Sequence, residues 1–116
     1  MNIKIVNRDE VTEWLNNNGA GSVAFVKAPV AEGVVTDIFR QAENNGENVV
    51  DIRWANLFAT DFNELGAPLF MSIDDDAVVL IDETWAVGNA AFSTSLWMFV
   101  NWLTNRGNKV IIPVRP

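Results

Sequence analysis

Ala77-Val78-Val79-Leu80-Ile81 is an unbroken apolar run that closes on two acids, Asp82 and Glu83. A strand with one wet face alternates apolar and polar residues, whereas a run without alternation belongs to a strand covered on both faces. Covering both faces takes helices on either side of a parallel sheet, so this stretch points to a layered α/β fold. Ser22-Val23-Ala24-Phe25-Val26-Lys27, bounded by Gly21 and Pro29, is a second short run of the same kind. Ile3 to Val6, Asn48 to Arg53 and Lys109 to Val114 read as further strands. Helical spacings lie between them. Val11, Trp14 and Leu15 share a face of a helix over residues 8–17 that stops in Asn16-Asn17-Asn18-Gly19. Asn7 with Glu10 three residues on has the form of its capping box. Val34, Val35, Ile38, Phe39 and Ala42 mark a second helix, ended by Asn44-Asn45-Gly46. A short helical turn is expected near Thr60 to Leu65, and a long helix from Ala90 to Asn105. Strands alternating with helices through right-handed crossovers predict a three-layer α/β/α sandwich with a mostly parallel sheet of about four to five strands.

At 116 residues the chain fits a single domain, 1–116. With 49% hydrophobic and 20% charged residues it has material for a core. Its net charge of −7 disfavours nucleic acid, because phosphate contacts by Lys and Arg supply most of that affinity. The absence of Cys and His excludes disulfides, thiolate nucleophiles, Cys- or His-ligated zinc and a His-Asp relay. The first residues lack the apolar stretch of a signal peptide, and the apolar window from Ala90 to Leu103 is broken by Ser93, Thr94, Ser95 and Asn101. A cytoplasmic protein without membrane association is expected.

Val78-Val79-Leu80-Ile81-Asp82-Glu83 has the form of a Walker B strand, in which the Asp orients the Mg²⁺ shell and the Glu polarises the attacking water. Alone, such a motif arises often by chance. Its neighbours add to it. Over roughly residues 8–116 the chain resembles the AAA+ ATPases, in particular the MoxR-like branch. The strand Ser22 to Lys27 looks like the one that leads into the family's phosphate loop, and Val49 to Gly66 is similar to the second strand and its following loop. Asp82-Glu83 corresponds to Walker B, the next helix to one that carries subunit contacts, and Val110 to Pro116 to the sensor strand. The resemblance implies a P-loop-NTPase-like topology.

The phosphate loop departs from the family. A working loop reads G-x-x-x-x-G-K-[ST]: backbone N–H groups close on the phosphates, Lys neutralises charge and Ser/Thr holds Mg²⁺. Here Lys27-Ala28-Pro29-Val30-Ala31-Glu32-Gly33-Val34-Val35-Thr36 stands in its place. The Lys and Ser/Thr positions fall on Gly33 and Val34, or on Val34 and Val35 if Gly33 is the second glycine. Either alignment removes both functional groups. Glu32 adds a negative charge beside the polyphosphate, at a cost of about 1–4 kcal/mol per charge pair at about 4 Å. The sensor strand lacks the polar Asn or Thr of the family, and the family's fifth strand, arginine finger and helical lid have no counterpart in the sequence. ATP hydrolysis is not expected, and no cofactor is assigned, with weak Mg-ATP binding through Asp82 and Glu83 left open.

Asp74-Asp75-Asp76 reads as a solvated turn rather than a cation site, and Asp82 with Glu83 as strand-end polar caps. On a helical wheel Phe92, Leu96, Phe99, Val100, Trp102 and Leu103 form a core stripe, with Trp97 and Met98 outside it. Phe58 and Trp85 fall in loops at the carboxyl edge of the sheet. Aromatic residues and Met are enriched at the centres of interfaces, and an uncovered sheet edge invites another chain. Phe58, Trp85, Trp97 and Met98 are therefore candidate contacts for a protein partner or for self-association. The leading expectation is a non-catalytic AAA+-like protein acting through protein contact, as a regulator, decoy subunit or inhibitor, in the manner of accessory proteins of phages and mobile elements. Two alternatives stand beside it: a weak nucleotide-binding module or NTPase using Asp82 and Glu83, and a receiver-like or flavodoxin-like domain with Asp51 or Asp82 at a strand end.

Overall fold

A computed structural model describes residues 2–27, 33–53, 73–82 and 90–114. Five strands are seen there: β1 (Asn2–Asn7), β2 (Ser22–Lys27), β3 (Val49–Arg53), β4 (Val78–Asp82) and β5 (Lys109–Val114). Their order across the sheet is β1-β2-β5-β4-β3, and every neighbouring pair is parallel. The helices are α1 (Val11–Asn17), α2 (Val34–Asn44) and α3 (Ala90–Asn105). The expected α/β fold with a parallel sheet between helical layers is what the chain adopts. All crossovers of one hand require the covering helices to change face when the direction of travel across the sheet reverses. The chain runs outward from β1 through β2 to β3 and returns through β4 to β5, and the helices divide accordingly.

Alternate residues of the inner strands feed two cores. Ala24, Val26, Val78, Leu80 and Ile111 pack under α1 and α2 against Trp14, Leu15 and Ile38. Val23, Val79, Ile81, Val110 and Ile112 pack on the opposite face against Phe99, Val100 and Leu103 of α3. This two-sided burial is why the strands of the apolar runs carry no polar alternation. Each buried Leu, Ile, Val or Phe contributes roughly 1.5–3 kcal/mol from burial of apolar surface.

One local detail differs from expectation. The first helical segment opens with a 3₁₀ turn, Arg8–Glu10, and the Asn7 amide bonds to the Glu10 carboxylate instead of capping the backbone. The pair thus ties two side chains together and leaves the helix N–H groups without a side-chain cap. Strand β1 pairs with β2 along all six of its residues and stands at one edge of the five-stranded sheet, with β3 at the other. The turn near Thr60 to Leu65 lies outside the described residues.

The entry to β2 is fixed by a glycine. Gly21 has φ +79, its N–H donates to the Gly107 carbonyl at 3.2 Å, and a Cβ there would stand 3.0 Å from the Thr104 carbonyl oxygen. Gly21→Ala combines a left-handed backbone with a backbone clash and is expected to cost about 1–3 kcal/mol. Urea denaturation checks this, and an unchanged midpoint would show that the turn relaxes freely.

Candidate functional site

In doubly wound sheets ligands bind outside the carboxyl ends of the strands, where crossovers leave on opposite faces and open a crevice. Here α2 follows β2 on one face while α3 covers the other, and β5 lies between β2 and β4. The carboxyl ends are Asn7, Lys27, Arg53, Asp82 and Val114. Lys27 is exposed and stands in register with Asn7 on one side and Val114 on the other. Asp82 is the last residue of β4, in register with Arg53 of β3. With strands about 4.8 Å apart, the backbones of Lys27 and Asp82 end about 10 Å from one another across β5. Pro29, Glu32, Phe58, Glu83 and Trp85 lie outside the described residues.

Helix α2 begins at Val34, directly after Gly33, which has φ 84 and accepts from the Asp37 N–H at 2.8 Å. A phosphate loop ends in a glycine at a helix start followed by Lys and Ser/Thr. The residues that follow the glycine before this helix are Val34 and Val35. The first turn instead carries an acid, Asp37, and no basic residue stands in the last turn.

Asp37 is engaged by a cluster that sequence reasoning missed. Its Oδ2 accepts from Arg8 Nε at 2.7 Å and from Gln41 Nε2 at 3.3 Å, while the same Gln41 amide also donates to the Arg8 carbonyl at 2.9 Å. The cluster pins α2 to the segment leaving β1. Arg8, Asp9, Asp37 and Gln41 line an open cleft of about 490 Å³. With two acids and a cation already paired to one of them, the cleft repels an anionic ligand. Both partners of the ion pair are more than a third exposed, so its net worth is about 0–1 kcal/mol. The Arg8/Asp37 spacing of 29 residues has no short-range signature, which is why the sequence alone did not reveal it.

Asp51 is the third of the five residues of β3, and its register with Leu80 puts it on the α1/α2 face. It therefore does not stand at the carboxyl edge, and the expectation that it ends a strand is corrected. Asp74-Asp75-Asp76 is a turn with structural partners: Asp74 accepts from the Asn48 amide at 3.2 Å, and Asp75 pairs with Arg106. Among the described residues no group of three or more carboxylates could hold a metal ion. No described helix is long and apolar enough to cross a membrane.

Of the apolar contact candidates, Trp97 and Met98 are described, and both are exposed, at 38% and 69%. The wheel assignment thus separates them from Phe99, Val100 and Leu103, which are buried, while Phe92 and Leu96 have side chains outside the description. Trp97 meets Phe25 edge to face at 5.8 Å. Ile3 and Ile5 of β1 are exposed as well. No family model, curated protein or solved structure matches the chain.

Proposed function

We propose that this chain is a non-catalytic AAA+-like domain that works by protein–protein contact, as a regulator, decoy subunit or inhibitor. The carrying observation is the first turn of α2. Where nucleotide hydrolysis requires Lys and Ser/Thr, the helix starts with Val34 and Val35 and presents Asp37. Without the Lys no fixed cation meets the γ-phosphate, and without the hydroxyl Mg²⁺ loses a ligand. Contact is favoured as the alternative by the exposed Trp97 and Met98 on a helix that has no charged residue.

A second reading, a weak nucleotide-binding module, draws on the sheet order. It sets Lys27 and Asp82 at the strand ends flanking β5, the usual location of a ligand crevice in doubly wound sheets. Thermal shift separates the two. Ligand at about 100 times its dissociation constant adds about 2.7 kcal/mol to stability, a shift of about 10 °C for a domain of this size. The expected result is no shift with Mg-ATP or Mg-ADP and no phosphate release. Turnover that disappears in Glu83→Gln would overturn the non-catalytic reading.

A further inference from the structure

Asparagine followed by glycine is the dipeptide in which a chain most readily attacks itself, because glycine has no Cβ to keep its backbone nitrogen from the asparagine side chain. The sequence holds two such pairs, Asn18-Gly19 and Asn45-Gly46. Their chemistry is the same and their backbones differ.

Asn45-Gly46 closes α2 in a hydrogen-bonded cap. The Gly46 N–H donates to the Glu43 carbonyl at 2.9 Å, and the N–H of Glu47 donates to the Ala42 carbonyl at 3.1 Å. Turning the Gly46 nitrogen toward the Asn45 side chain breaks this cap. The Asn45 amide is itself held by Asn16 Oδ1 at 3.0 Å and Glu47 Oε1 at 3.4 Å.

Asn18-Gly19 follows α1 without such a cap. Asn18 has already left the helix, at φ −126 and ψ 140. The Leu15 carbonyl, which a further helical turn would offer to Gly19, accepts instead from Lys109 Nζ at 2.7 Å. Among the described residues the Gly19 N–H has no hydrogen-bond partner. Gly19 is exposed, and a Cβ built on it would meet nothing within 4 Å, so the peptide has room to turn. The Asn18 amide donates to the Trp14 carbonyl at 2.9 Å, and its Oδ1 accepts from the Asn2 amide at 3.3 Å. That last bond places a donor on the oxygen where negative charge develops when Cγ is attacked.

We propose that Asn18 is a site of self-modification, converted through a succinimide to aspartate and isoaspartate while Asn45 is preserved. The Gly19 nitrogen gives up its proton and bonds to Asn18 Cγ. The Cγ–Nδ2 bond breaks, and the nitrogen leaves as ammonia with a proton returned by solvent. One water then opens the ring, at one carbonyl to aspartate and at the other to isoaspartate, and no further co-reactant is needed. The product has lost the amide that donates to Trp14 and adds one negative charge to a chain at −7.

The test is peptide mapping by mass spectrometry after incubation of the full chain at mildly alkaline pH and body temperature. Tryptic cleavage at Arg8, Lys27, Arg40 and Arg53 puts the pairs in separate peptides, 9–27 and 41–53, and fragmentation locates the change. In the native protein Asn18 should convert about tenfold or more faster than Asn45, which must first open its cap. In concentrated urea the two rates should converge, since both pairs are then unrestrained. Gly19 has no positive φ and open space around it, so Gly19→Ala should keep the circular dichroism and melting curve of the wild type. Conversion at Asn18 should nevertheless slow by about tenfold in that variant, because a Cβ now hinders the nitrogen. Native rates that are equal, or faster at Asn45, overturn the proposal. So does conversion at Asn18 that is no faster than at Asn16 or Asn17, or that is unchanged in folded Gly19→Ala.

Discussion

Phe99→Ala should lower the stability of the fold by about 3–5 kcal/mol, the range for truncating a fully buried aromatic residue whose cavity the surroundings cannot close. Phe99 is 1% exposed at the centre of the core between α3 and the sheet. Its ring stacks on Trp102 at 6.4 Å and 17°, and the Arg106 guanidinium sits 4.4 Å over Trp102. Arg106 in turn donates to the Ile73 carbonyl and pairs with Asp75. The substitution therefore loosens a stack that runs from the core to the turn before β4. At about 4 °C per kcal/mol the melting temperature should fall by about 12–20 °C. Phe99→Leu, which keeps most of the volume, should cost far less, about 1–2 kcal/mol. Equal losses for the two would mean that ring stacking and not cavity formation sets the effect.

Asn108→Ala carries the second large effect, about 2–4 kcal/mol. Asn108 has no exposed surface, and its amide donates to the carbonyls of Asp74 at 2.8 Å and Ala77 at 2.9 Å. Removing it strips both carbonyls of this donor, at about 1–3 kcal/mol for a buried group left unsatisfied. Native-state hydrogen exchange gives the sharper reading. The amides around 73–78 should exchange faster in Asn108→Ala than the loss of global stability accounts for. Uniform acceleration across the molecule would show instead that the bonds hold the whole fold and not this turn.

Element positions were legible in the sequence to a degree that the order of strands was not. Ser22–Lys27, Ala90–Asn105 and Lys109–Val114 follow from apolar runs bounded by Gly, Pro and Asn, which are local signals. The neighbours of each strand are not local. That β1 lies beside β2, and that β5 separates β2 from β4, depends on contacts across the whole chain, and no periodicity encodes them. The 3₁₀ turn was hidden for a related reason. Asn7 and Glu10 have the residue types of a capping box, yet the two side chains bind each other, a choice that composition leaves undetermined. Nothing in the sequence singles out Asn108 between Gly107 and Lys109, and only its bonds to the Asp74 and Ala77 carbonyls reveal a buried brace. Trp97 and Met98 were legible because a wheel separates an exposed flank from a core stripe. Lys27, Gly33 and Asp82 were legible as positions, while the Arg8/Asp37 pair between segments far apart in sequence was not.

The strand at the middle of the sheet is also the last of the five to appear in the sequence. Before β5 is made, the strands can form only two separate ribbons, β1 with β2 and β4 with β3, because their bonds to each other run entirely through it. Isolated pairs of strands are marginal in water. A growing chain thus holds Val23, Val79 and their neighbours without a partner until Lys109 to Val114 arrives, and Lys109 then also reaches the Leu15 carbonyl, 94 residues earlier. Folding of this sheet is a closing event that waits for β5, with slow, long-range pairing, and the interval before it is when the chain is most open to aggregation and to chaperones.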